Sequence, residues 1–133
     1  MKTTYNLNRI NVKETLFVIM LAFAWIEDYK DNEDKYKEHG LHKNIDKVVP
    51  RVLKFGGKLT AKVMGDLLEE KSEVAHSVDT EDFYWLYRVA TFYLKGVEMG
   101  AIKDERKVID GTNFMYIENI YKRADELEKE LED

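Results

Sequence analysis

The chain has 133 residues, 44% hydrophobic and 35% charged, with one proline, seven glycines and no cysteine. A chain of this length and apolar content can remove about two thirds of its unfolded surface from water, which argues against disorder, and the lack of cysteine excludes disulfides, thiolate zinc sites, iron–sulfur clusters and thiol nucleophiles. A formal net charge of −5 argues against a surface coated in basic residues for nucleic acid, although charge can still be segregated locally.

In chain order, residues 1–10 show no helical period and read as an extended arm or short strand. Asn11 followed three residues later by Glu14 has the form of a capping box, which predicts a helix starting at Val12. That helix either stops near Asp31-Asn32 or continues to Gly40. Its segment Leu16 to Ile26 is the most apolar stretch, but eleven helical residues span only about 16 Å and Glu27-Asp28 follow at once, so a buried helix is expected and a membrane span is not. A signal peptide is also disfavoured, because Glu14 abuts the apolar run and Trp25-Ile26 continue it past the small residues Ala22 and Ala24. Being apolar on every side, this half-helix must be enclosed by other helices or by a second subunit.

Residues 44–55 place Ile45, Val48, Val49, Val52 and Leu53 on one face. Pro50 falls inside the pattern, so a new or kinked helix is expected to start there, ending at Gly56-Gly57. Leu59, Val63, Met64, Leu67 and Leu68 define a third amphipathic helix reaching Val74 or His76. Asp79 is a good N-cap for a fourth helix, with Glu81 and Asp82 placed to suit its dipole. That helix is dense in aromatics, and Gly96 and Gly100 near its end permit a close backbone approach and a cap. The polar link Ala101 to Gly111 has room for a hairpin turning at Asp104-Glu105. Thr112 is the expected cap of the last helix, where Ile117, Ile120, Ala124, Leu127 and Leu131 form two heptads. Five main helices in one domain spanning 1–133 make an all-α, bundle-like fold with room for a minor β-hairpin.

Charge is distributed in blocks. Leu41 to Lys62 holds six basic residues against Asp46 alone, and Val63 to Asp82 holds seven acids against Lys71. The basic residues Lys43, Lys47, Arg51, Lys54, Lys58 and Lys62 recur with the period of one helix face. Such a stripe suits an acidic partner protein, a phosphate backbone, or simply solvent. Five arginines against sixteen lysines weigh against base readout. The helix, glycine turn and helix between Asn44 and Ala75 have the outline of a helix-turn-helix, yet Asp66, Glu69, Glu70 and Glu73 on the second helix would repel phosphates.

Catalytic motifs are missing: there is no phosphate-binding glycine loop, no nucleophile elbow and no His-Glu-x-x-His. Glu73-Val-Ala-His76 has the spacing found in di-iron bundles but no second copy, so no metal and no cofactor are expected. His39 and His42 straddle Gly40, and Ser77 beside His76 points elsewhere on a helix. Among the aromatics, Trp85, Tyr84, Phe92 and Tyr93 are candidate walls of a ligand pocket, though aromatic residues at helical spacing usually form core; Tyr84 and Trp85, as neighbours of Phe83, cannot all face one way, which makes them candidate surface anchors. The expectation is therefore a non-enzymatic, cytoplasmic adaptor or inhibitor that binds a protein through surface aromatics and segregated charge. The apolar first helix and the terminal heptads predict a homodimer. A nucleic-acid-binding regulator using the stripe over residues 43–62 is the competing expectation. Richness in lysine, asparagine and tyrosine points to an AT-rich genome, such as a low-GC bacterium or its phage.

Overall fold

The structure, a computed structural model, describes residues 4–6, 10–38, 45–71, 73–74 and 77–132. Its elements in order are β1 (Thr4–Asn6), β2 (Ile10–Asn11), α1 (Val12–Asp31), α2 (Glu33–Glu38), α3 (Ile45–Leu68), β3 (Glu73–Val74), β4 (Ser77–Asp79), α4 (Thr80–Glu98) and α5 (Ile117–Glu132), with one 3₁₀ turn at Phe114–Tyr116. The fold is an all-α bundle, and no described helix is long and apolar enough to cross a membrane. The arm does form strands: β1 pairs antiparallel with β4 and β2 with β3, so it lies along the connection between α3 and α4. No strand forms in the link Ala101 to Gly111, where a hairpin was an option. Asp104 organises that link instead, accepting hydrogen bonds from the Tyr93 hydroxyl at 2.6 Å and from the amides of Val108 and Ile109 at 3.0 and 2.9 Å.

Helices α1 and α4 form the centre of the bundle, with α3 packed on both and α5 on α4. Asn11 caps α1 as expected, its Oδ1 accepting from the amides of Lys13 and Glu14. Glu14, however, does not reach back to complete the capping box. Its carboxylate is 4% exposed, accepts from the Tyr87 hydroxyl of α4 at 3.0 Å and faces Arg123 Nε of α5 at 3.9 Å. The Arg123 guanidinium also lies over the Tyr87 ring, 5.9 Å from its centre and so within the reach of about 6 Å for a cation–π contact. One buried acid thus joins α1, α4 and α5. Around it, Phe17, Val18, Leu21, Ala22, Trp25 and Ile26 are enclosed, with Trp25 stacked on Tyr29 and tilted against Phe92. Helix α1 ends at Asp31 and the chain re-enters a helix at Glu33, an outcome between the two expected ends. Gly40 lies outside the described residues.

Helix α3 differs most from expectation: one uninterrupted helix of 24 residues replaces two. Pro50 lies in its second turn, where the missing amide removes one early hydrogen bond. Gly56 and Gly57 do not break it, because Ile45, Val48, Val49, Val52, Gly56, Leu59 and Val63 stay in phase as a single buried stripe. A β-carbon on Gly56 would sit 2.7 Å from Cε1 of Phe23, so this glycine makes room for an aromatic ring of α1. The same phase turns Met64, Leu67 and Leu68, which were expected in the core, out to solvent, and puts Asp66 on the inner side. The helix stops at Leu68 rather than at Val74 or His76, because residues 73–74 pair with β2 instead.

Asp79 caps α4 through its side chain, which accepts from the Asp82 amide at 3.0 Å. At the other end Gly100 takes φ +76°, the left-handed conformation of a helix stop. Gly96 is covered by a side chain, Ile102, rather than by backbone. Thr112 does not cap α5. Asp110 Oδ1 accepts from the amides of Thr112 and Asn113, and the chain enters α5 through the 3₁₀ turn. The heptad residues of α5 are spent within the chain: Ile120, Ala124 and Leu127 are fully buried against the same core, with Ile117 and Leu131 packed at its edge. Of the two features that suggested a homodimer, these heptads have partners inside the protomer, and so does most of the apolar α1, with Met20 left 50% exposed.

Two measurements check this packing. Glu14→Ala strands the Tyr87 hydroxyl and leaves Arg123 facing an apolar hole, and should cost about 3 kcal/mol, whereas Tyr87→Phe should cost about 1 kcal/mol in urea titrations. Burial, helped by the hydrogen bond to Asp46, pushes the Tyr29 hydroxyl up to about 12 from 10.0. Because the folded value lies above the unfolded one, the stability it contributes is intact below pH 10 and is lost as pH rises toward 12. Urea midpoints should fall over that alkaline window, and less steeply in Tyr29→Phe.

Candidate functional site

On a helix of 3.6 residues per turn, Lys47, Arg51, Lys54, Lys58 and Lys62 fall on one face, well separated from the buried stripe of α3. Because α3 is not broken at Pro50 or at the glycine pair, these residues share one continuous outer face. The run from Lys47 to Lys62 is about 22 Å long. Lys47, Lys54, Lys58 and Lys62 are exposed, and none of them forms an ion pair among the described residues. Lys43 lies outside the described residues.

Arg51 behaves differently from its lysine neighbours. Its Nε donates to Asp82, its two terminal nitrogens lie 3.3 Å from Asp79 Oδ2 and 3.1 Å from Glu81 Oε1, and its charge is held more firmly than usual, first by the hydrogen bond to Asp82. Planar, forked geometry lets one guanidinium serve three carboxylates. Asp79, Glu81 and Asp82 start α4, so Arg51 clasps that helix terminus and has little left to offer a partner. Sequence spacing put Arg51 in the stripe correctly but could not show that α4 begins beside it.

Neither aromatic anchor stands clear of the surface. The Tyr84 ring is buried between Trp85, 5.0 Å away edge to face, and the Arg88 guanidinium, 5.5 Å from its centre. Its hydroxyl donates to Glu128 Oε1 at 3.2 Å and accepts from Arg88 Nε at 3.3 Å, which ties α4 to α5. Burial raises the pKa of Tyr84 against the opposing pull of Arg88. Trp85 is half-buried and packs on the core. Covering by α5 is the reason: the neighbour of an aromatic helix is invisible in a local pattern. Phe92 and Tyr93 are likewise taken up, by Trp25 and Asp104. What sequence reasoning missed is apolar exposure on α3, where Met64 is 42% and Leu68 82% exposed. Their own spacing carried the signal, since they fall out of phase with Ile45, Val52 and Val63.

A cleft of about 140 Å³ lies between Glu27, Asp28 and Asp31 of α1 and the link containing Lys103, Glu105 and Arg106. Arg106 closes one side by pairing with Glu27 at 2.5 Å. No group of three or more metal-ligating side chains occurs among the described residues. Glu73 and His76, and also His39 and His42, have no described side chains. Of the acids that spoke against phosphate docking, Asp66 turns inward and Glu69 pairs with Lys71 at 2.8 Å, while Glu70 stays exposed. The outer face of α3 is therefore the best candidate site. No family model, no curated protein and no solved structure matches this chain.

The contrast between Arg51 and its neighbours is measurable. Arg51→Ala leaves three acids crowded at the start of α4 and should lower stability by about 1 kcal/mol, while Lys54→Ala should change it by less than about 0.5 kcal/mol, both read by urea denaturation.

Proposed function

We propose that the protein is a non-catalytic binding module, an adaptor or inhibitor, that docks an acidic partner protein through the outer face of α3. The observation that supports this reading is the set of Lys47, Lys54, Lys58 and Lys62, exposed and without an ion pair among the described residues, on one uninterrupted helix. Arg88 and Arg106 are matched with acids, whereas these four lysines, like Lys13, Lys30, Lys103, Lys107 and Lys129, are not among the described residues, and the four on α3 are set apart by following one another along a single helix face. Like-charged side chains one turn apart repel each other by a few tenths of a kcal/mol, so an unmatched row is relieved when an anionic surface meets it. The partner would be steered in by charge and held at close range, giving association that weakens with salt.

Nucleic acid is the second reading, since four lysines could equally meet phosphates. Two observations disfavour it. The one arginine of the stripe is committed to Asp82 and its neighbours, and the exposed carboxylates of Asp79 and Glu81 lie beside the row at that point. An extended polyanion following the whole row would pass them.

Affinity capture from the native host with wild type and with Lys54→Glu/Lys58→Glu/Lys62→Glu tests the proposal, circular dichroism confirming the fold. A partner protein held at low salt and lost in the variant is the expected result. A partner held equally by the variant sinks it, and capture abolished by nuclease turns the reading to nucleic acid.

A further inference from the structure

Resting on that reading, we infer that the element received by α3 is an acidic amphipathic helix, seated along a groove between the lysine row and a row of exposed apolar side chains. Positions four apart on a helix form ridges, and three adjacent ridges of α3 differ sharply in size and chemistry. The first carries Lys54, Lys58 and Lys62. The second, three residues further on, carries only Gly57, Ala61 and Gly65, all exposed. The third runs through Thr60 to Met64 and Leu68. The middle ridge is so low that it acts as a groove.

Intramolecular packing does not explain that groove. A β-carbon at Gly57 or at Gly65 would meet nothing within 4 Å, in contrast to Gly56, which Phe23 fills. Each exposed glycine in a helix interior lowers helix stability relative to alanine, so α3 carries two such costs with no internal benefit. A backbone approaching from outside supplies one, because small residues let two helices pack at short interaxial distance. The flanks then define the visitor. Charge complementarity calls for carboxylates facing Lys54, Lys58 and Lys62, which are spaced about 6 Å apart along the axis, the same rise as glutamates four apart on a second helix. The other flank calls for apolar side chains against Met64 and Leu68, the latter 82% exposed. A phosphate backbone needs neither the bare strip nor the apolar edge.

The test uses the full-length protein and three probes of equal charge: a three-heptad helical peptide with glutamates four apart beside a leucine-alanine row, unstructured poly-glutamate, and a short DNA duplex, all titrated by fluorescence anisotropy across salt. The inference expects the helical peptide to bind more tightly than the other two. It also expects Gly57→Leu/Gly65→Leu, which keeps every lysine and improves helix propensity, to lose about tenfold in affinity for that peptide while its melting temperature stays level or rises. Equal binding of all three probes, tightest binding of DNA, or wild-type affinity in the leucine variant overturns the helical seat while leaving the lysine face intact. If no probe binds at low salt, or if the triple lysine-to-glutamate variant binds the peptide unchanged, the anionic-partner reading falls with it.

Discussion

Enclosing α1 is the constraint from which the rest of the structure follows. A helix whose buried residues Phe17, Val18, Leu21, Ala22, Trp25 and Ile26 span about half of its circumference cannot rest on one neighbour, since a single contact would leave a large apolar area uncovered. Helices α3 and α4 cover it, and α4, whose aromatic residues are buried over a broad face, also carries α5 on its other side. So apolar a centre requires that a charge buried within it be matched. Glu14 is matched by Tyr87 and Arg123, and the trio fixes how the three helices meet.

Enclosure also decides which surfaces remain for function. Helix α5 covers Tyr84 and uses its heptads to do so, which removes both an aromatic anchor and an argument for self-association. The start of α4 takes Arg51. Besides scattered exposed residues such as Met99, Phe114 and Met115, what survives is the side of α3 turned away from α1, where lysines, small residues and two apolar side chains lie in parallel rows. The binding reading rests on that remainder, and on nothing in the core.

Several elements were legible locally because their causes are local. Asn11 and Asp79 cap helices through amides two or three residues away, and Gly100 stops a helix by its own backbone freedom. The spacing of Lys47, Lys54, Lys58 and Lys62 needed only helical periodicity. Misreadings arose where a distant contact outweighed a local preference. Pro50 and the glycine pair look like breaks in isolation, yet the apolar stripe runs in phase across them and Phe23 packs onto Gly56. Thr112 has the chemistry of a cap, but Asp110 lies better placed. Residues 73–74 fit a helical pattern until β2 offers strand pairing.

The sequence by itself determined that this chain is helical, built around one strongly apolar segment, without thiol chemistry and with its positive charge concentrated between Leu41 and Lys62. These depend on composition and on periods of three and four residues. Only the tertiary structure decided which charges are spent and which are available. Ion pairs such as Arg51 with Asp82 and Arg88 with Asp125 link residues far apart in the chain, and no spacing rule reports them. The same holds for the groove on α3: its small residues are plain in the sequence, but they become a surface only because burial of Val52, Leu59 and Val63 fixes the rotation of the helix that carries them.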